Sequence, residues 1–479
     1  MKHILRHIVP LLATLVLSQG CLSELFDHPG SDEAGMVDVD INFGSSAGAS
    51  VDISTKSALG IVRESAVFNM YLLIFDSSSG NKIYGRYFDG SNLGQGSAND
   101  YWTVANMASE DGDPTQGTLH IHTAKKESCR IVAVANMNPN DLDVSAGQLS
   151  TIKTYSELQG IVASQVRSEI AANSGFFLMT GEIDGVRIMG DTDADDITQK
   201  TYTLSLRRLY AKVTFNVRIA HNAPIRSFTP YKWQVVNVPT CSYLLERTSP
   251  VEDAATTDSQ FFSTDALGFE DEKLTEEDND FYADGSTKVS IHSFSFYMME
   301  NRKAPLSSFS GYSGREKRVK NDVVNHSDSY YTCTNGDFEY ADPHSAYVVM
   351  TGKIVMGYDA SAEGMNPDAT LDANVTYVIH LGDFYTDVQD FNTKRNYNYI
   401  YNIYINGASD IKAEVDANDG SASSLNEPEP GASGRVVVAM EEIFDSDCHY
   451  STQVISFHAA YMDPRKSAGM LSLRSTRME

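Results

Sequence analysis

Cysteine is scarce in this chain. Five are present in 479 residues, at positions 21, 129, 241, 333 and 448. No two lie close enough for a C-x-x-C pair, which excludes a zinc knuckle or a thioredoxin-like redox motif. Basic residues are also few: 37 Lys and Arg stand against 64 Asp and Glu, a formal net charge of −27. So acidic a chain is a poor partner for nucleic acid, and none is expected. Beyond residue 20 no apolar run approaches the roughly 20 residues that cross a bilayer as a helix. G-x-S-x-G, H-E-x-x-H, a Walker loop and G-x-G-x-x-G are all missing. The nearest approach to a nucleophile elbow, "GYSG" at 311 to 314, runs into Arg315. Carboxylates are too numerous for one acid/base pair to stand out. The chain is therefore read as non-catalytic, with no cofactor and no metal expected.

What is present begins at the front end. Residues 1 to 20 have the three parts of an export signal: Lys2 and Arg6, an apolar stretch from Ile8 to Leu17, then small and polar residues ending at Gly20. Ten apolar positions, interrupted by Pro10 and Thr14, suit a signal peptide and are too short to span. Cys21 follows at once, as in bacterial lipoproteins, although Ser18 stands where the usual box has an aliphatic residue. Cys21 is thus the candidate lipidation site, and two or three acyl chains there would anchor the protein stably. Loss of Lys2 and Arg6 with the signal takes the net charge from −27 to −27 − 2 = −29. The expectation is an exported, outer-membrane lipid-anchored protein, with residues 21 to 35 as tether. Cys129 and Cys241 sit in strand-like runs and are expected as buried free thiols.

The dominant hydrophobic period is two. Val37, Val39, Ile41 and Phe43 alternate in "VDVDINF", and "MYLLIFD" is apolar on both faces. In "LYAKVTFNVRIA", Ala211, Val213, Phe215, Val217 and Ile219 share one face. Tyr210, Lys212, Thr214, Asn216 and Arg218 share the other, which is expected to be wet. In "RNYNYIYNIYING", Tyr397, Tyr399, Tyr401, Ile403 and Ile405 form a core face, not an aromatic platform for sugars or bases. One helix is expected from Thr154, with Leu158, Ile161, Val162, Val166 and Ile170 as its stripe and Ser156 as its cap. The fold class is all-β. The expected division is an N-terminal β-sandwich over 36–222, a C-terminal one over 223–415, and a linker, final strand and tail over 416–479. The break is placed at "AHNAPIR".

Two constellations carry weak metal signals. His120 and His122 in "LHIHT" share a strand face, without an assignable third ligand. Asp191, Asp193 and Asp195 in "DTDADD" have calcium-loop spacing, but Asp196 replaces the turn glycine and Tyr202 the bidentate Glu. A surface pair and a solvated acidic loop are the readings adopted.

An ordered series of motifs resembles a known family. The lipoprotein signal ends at Cys21, followed by "VFNMYLLIFDSSSG" (67–80), "CRIVAVANMNP" (129–139), "FFLMTGEIDG" (176–185) and "LSLRRLYAKVTFNV" (204–217). "WQVVNVP" (233–239), "FSFYMMEN" (294–301), "AYVVMTGKI" (346–354) and "YVIHLGD" with "FNTKRNYNYIYNIYINGASDI" (377–411) complete it. Together they resemble the fimbrillin-like surface lipoproteins of Bacteroidales, the type V pilus subunits and their relatives, in a longer branch. The resemblance implies two tandem transthyretin-like β-sandwiches and a role in fimbriae or adhesion. It also implies that, in subunits that polymerise, an arginine-specific protease removes the first strand and a neighbouring subunit's strand fills the groove. "MVDVDINF" is then the candidate first strand, and Arg63 in "LGIVRES" the candidate cleavage site, with Lys56 nearby. The C-terminal tail departs from the family pattern. The alternative is a surface lipoprotein that binds a glycan or host protein on the same sandwiches.

Overall fold

The computed structural model describes residues 35–45, 64–94, 100–104, 115–137, 144–164, 177–189, 202–220, 223, 225–247, 253–270, 273–276, 288–317, 338–357, 370–408 and 411–419. The protein is all-β. Nine strands come first: β1 Met36–Ser45, β2 Met70–Asp76, β3 Lys82–Phe88, β4 Tyr101–Val104, β5 Gln116–Ala124, β6 Lys126–Ala135, β7 Val162–Ser164, β8 Met179–Ile188 and β9 Tyr202–Arg208. Eleven follow: β10 Tyr210–Ile219, β11 Ile225–Val236, β12 Val238–Pro239, β13 Cys241–Tyr243, β14 Phe261–Phe262, β15 Lys273–Glu276, β16 Lys288–Met299, β17 Tyr347–Gly357, β18 Thr370–His380, β19 Tyr397–Ile405 and β20 Ile411–Asp419.

An eight-stranded sheet runs β3-β2-β6-β8-β9-β1-β5-β4. Its two halves are joined where β8 meets β9, at Met179–Arg208 and Thr180–Arg207. Both halves bury apolar side chains in one cluster, from Ile41 and Phe43 to Leu73, Val132 and Val134. A five-stranded sheet, β15-β16-β10-β19-β20, faces the three-stranded β11-β17-β18. Phe215, Phe294 and Tyr401 from the first and Trp233, Met350 and Tyr377 from the second fill another cluster. Phe215 lies between Phe294 and Tyr401, ring centroids 5.0 and 4.6 Å away. The cluster joined by successive residues changes between Tyr210 and Ala211, at the start of β10.

The strand periodicities hold. All seven residues of β2 are buried, and Tyr399 and Tyr401 point inward with no exposure. Two expectations are corrected. Among the described residues the helix from Thr154 is only α2, Tyr155–Gln159, following a short α1, Ala146–Thr151, while Val166 and Ile170 lie outside them. Its cap is Thr154, not Ser156, in a capping box with Glu157. Gly160 ends it, and Val162 enters β7 because β13 offers a ladder partner there. The second face of β10 is not wet: Lys212, Thr214 and Asn216 are 5–6 % exposed. β10 is a central strand, and its neighbours cover these residues and pair with them. Thr214 shares a hydrogen bond with Ser295 at 2.9 Å, and Asn216 donates to Asn402 Oδ1 at 3.2 Å.

Asp76 closes the β2–β3 hairpin, where Oδ1 accepts from the Ser78 amide at 2.8 Å and the Ser78 hydroxyl at 2.6 Å. Lys126 also holds this carboxylate, and these contacts keep its pKa well below the ordinary 3.8. A lowered pKa stabilises the fold above the unfolded value and is lost as pH falls through the folded one. Amide exchange at Ser78 and Ser79 should therefore begin to lose protection as pH falls below about 5 and lose it fully only well below about pH 2, before the strands do. Phe215→Ala should cost about 3–5 kcal/mol in denaturant melts, as expected for an emptied core ring site.

Candidate functional site

Strand β1 is the element on which the first-strand reading turns. Its alternation buries Val37, Val39, Ile41 and Phe43, none more than 8 % exposed. β5 pairs with it antiparallel along Met36–Gly44, while β9 runs parallel to it over Ile41–Ser45 only. Phe43 stacks on Trp102 at 5.9 Å. It also lies over Gly117, where an added Cβ would meet the ring at 2.7 Å and the Thr103 carbonyl at 2.1 Å. On the outer face, directly opposed residues pair: Asp38 with His122 at 2.8 Å, Asp40 with His120 at 2.6 Å, and Asn42 with Thr118 at 2.8 Å. The two imidazoles do share a strand face, and each has an aspartate of β1 as partner. Among the described residues no group of three or more His, Cys, Asp or Glu is placed to hold a metal ion.

Ser45 ends β1, and its hydroxyl donates to the Ser65 carbonyl. The chain thus returns beside the point where β1 leaves off. Residue 64 is the first described after that return. Glu64 is 3 % exposed, and its carboxylate meets Arg208 Nη1 at 2.5 Å and Lys212 Nζ at 2.6 Å, while the Tyr297 hydroxyl donates to it at 2.7 Å. These partners come from the end of β9, the start of β10 and the end of β16, where the two apolar clusters meet. The backbone amide of Arg208 donates to Asn396 Oδ1 at 3.2 Å, and the Asn396 amide donates to the Tyr210 carbonyl at 3.0 Å, which draws in the start of β19.

Asn136, from the Asn-rich turn after β6, fixes the residues that follow Glu64. Its Nδ2 donates to the Ala66 carbonyl at 2.6 Å and the Phe177 carbonyl at 3.0 Å, and its Oδ1 accepts from the Phe68 amide at 2.8 Å. The residue itself has no exposed surface and a φ of 61°. Sequence reasoning missed Glu64 and Asn136. The only signal was that "ANMNP" ends a buried strand.

Cys21 and Arg63 lie outside the described residues, as do Lys56, Cys333, Cys448 and the "DTDADD" loop. Cys129 is a buried free thiol, its pKa pushed up to about 12 chiefly by burial, and Cys241 is free and half-buried. The tyrosines of β19 form no platform. Tyr399 donates to the Asn392 carbonyl at 3.1 Å, and Tyr401 to the Gly382 carbonyl at 3.1 Å, both from inside the core.

No family model and no curated protein matches the chain. Solved structures do. One is the tip fimbrial protein Mfa3 from Porphyromonas gingivalis with a C-terminal truncation: 14% identity, 80% of this chain and 99% of that one covered, TM-score 0.42. Another is a fimbrial assembly protein from Parabacteroides distasonis: 13% identity, 80% and 100% covered, TM-score 0.37. The resemblance read in the motifs is to proteins of the same kind.

Glu64 is one carboxylate facing two buried cations. Glu64→Gln leaves both cations uncompensated and should cost about 3–5 kcal/mol. Lys212→Met leaves a neutral Arg208–Glu64 pair and should cost distinctly less. Urea melts of the two variants would give this order, and the reverse order would refute the reading of the cluster.

Proposed function

We propose that the protein is a non-catalytic fimbrial or adhesion subunit at the cell surface. On this reading it is anchored to the outer membrane through acylated Cys21 and assembles with other subunits by β-strand addition. The strand that leaves is β1, after a cut at Arg63. Its two sandwiches are centred on the two apolar clusters, with β20 closing the second as far as Asp419 and the residues beyond it as linker, final strand and tail.

The observation that carries this reading is the setting of β1. It is a core strand with four buried apolar side chains, and the hydroxyl of Ser45 at its end donates to the carbonyl of Ser65, two residues after the candidate arginine. Severing the chain there would leave β1 held by its ladder and its side chains alone. Its departure would open a slot between β5 and β9, lined by main-chain donors and acceptors and apolar pockets. An extended strand of alternating side chains can fill such a slot. The composition suits this role, since acidic surfaces keep exported subunits soluble.

Mass spectrometry of the N-terminus of protein taken from cells tests it. An acylated Cys21 is expected on the anchored form and Glu64 as the first residue of the assembled form. Cys21→Ser should release the protein from membranes, and Arg63→Ala should abolish ladders of subunits on non-reducing gels. A strictly monomeric mature protein that binds glycan would defeat the assembly reading and favour the binding alternative.

A further inference from the structure

We propose that Arg395 and Asn396 form a two-pronged brace through which the C-terminal half of the chain holds the eight-stranded sheet together. The inference goes beyond the assembly reading and does not depend on it. The sheet has one narrow place. Among the described residues its halves pair only where β8 meets β9, at Met179–Arg208 and Thr180–Arg207. The Leu209 amide adds one bond to the Leu178 carbonyl at 3.0 Å. By contrast, β1 and β5 pair all along Met36–Gly44. So short a ladder is weak support for a joint between two four-stranded halves.

Three of the four residues in the joint are held from the C-terminal half. On the β9 side, Asn396 Oδ1 accepts from the Arg208 amide at 3.2 Å, and Glu246 Oε2 meets Arg207 Nη1 at 2.7 Å. On the β8 side, the Thr180 hydroxyl donates to the Leu244 carbonyl at 3.4 Å. Arg395 fixes that carbonyl: its Nη1 donates to the same oxygen at 3.0 Å, and its Nη2 to the Tyr243 carbonyl at 2.7 Å. A carbonyl oxygen accepts twice, so the Leu244 oxygen ties β8 to Arg395. Glu300, just beyond β16, meets the Arg395 charge. Two adjacent residues at the root of β19, 1 % and 0 % exposed, thus reach β9 directly and β8 through one oxygen.

The consequence reaches β1. β9 is its parallel neighbour over Ile41–Ser45, so what holds β9 also holds that side of β1. Parts of a chain with separate cores move relative to one another by default. Here the order of one part depends on two side chains of the other. The residue types suit the task. The planar guanidinium holds a carboxylate and two carbonyls at once, which an ammonium does not do with the same fixed geometry. The asparagine turns the chain at a φ of 65° and presents its acceptor to β9 from the same residue.

The test is amide hydrogen exchange of the full chain, read peptide by peptide by mass spectrometry. Asn396→Gly keeps the left-handed backbone and loses the acceptor. Arg395→Lys keeps a positive charge beside Glu300 and loses the fork. In both variants the amides of β8, β9 and β1 should exchange about three- to tenfold faster, as expected for one lost hydrogen bond. Asn237→Gly is the control. Asn237 is also buried at a φ of 61°, but its side chain donates to the Pro343 and Ser345 carbonyls. Its loss should leave β8, β9 and β1 unchanged. Circular dichroism checks that each variant is folded, and if Arg395→Lys is not, Asn396→Gly carries the test. Folded variants that speed exchange only in β19 and its own neighbours would overturn the brace. So would an equal rise in β8, β9 and β1 in Asn237→Gly. Either result leaves the assembly reading intact, since that reading stands or falls on the N-terminus of protein taken from cells.

Discussion

The carboxylate of Glu64 is the contact on which the rest of the arrangement hangs. It binds one side chain from β9, one from β10 and one from β16, and so lies where two apolar clusters touch. A buried ion pair is seldom a net source of stability, because desolvation of both partners offsets most of the attraction. What it does supply is position. Arg208 and Lys212 cannot sit in this interior without Glu64, so the chain after β1 has one place to return. The cores, the strand order and the path around β1 are thereby coupled.

Three asparagines perform a related task without charge. Asn136, Asn237 and Asn396 all have φ between 61° and 65°, and all are at most 3 % exposed. Asparagine tolerates this left-handed backbone better than most residues and carries both a donor and an acceptor. Each uses its amide to reach a distant segment: Asn136 to Ala66 and Phe177, Asn237 to Pro343 and Ser345, Asn396 to Arg208. The chain turns and is stapled at the same residue. A glycine would permit the turn and lose the staple.

This division explains what could be read in the sequence and what could not. Alternation is local, so "VDVDINF", "MYLLIFD" and "RNYNYIYNIYING" announced β1, β2 and β19 and their inner faces. The long helix failed because "GIVAS" satisfies both periods, and the deciding partner, β13, lies far along the chain. The wet face of β10 failed for the same kind of reason. A lysine in an alternating strand reads as solvent-facing unless its carboxylate is known, and Glu64 is 148 residues away. Long-range polar pairs leave no periodic trace. They are what turns a recognisable set of strands into this particular site.

The same logic constrains what could take the place of β1. On the proposed strand-addition reading, an incoming strand would meet a slot with pockets shaped by Val37, Val39, Ile41 and Phe43, the last a ring pressed between Trp102 and Gly117. Its apolar residues must fall at alternate positions, because a slip of one would turn every side chain to the wrong face. The outer face adds a second condition. His120 and His122 stand in register with aspartates, so hydrogen-bonding residues such as aspartate suit those positions. Such exposed pairs contribute little stability each, but they discriminate between strands whose apolar faces are alike. On that reading the requirement is for apolar and hydrogen-bonding residues in alternation, which "VDVDINF" meets and a merely hydrophobic strand does not.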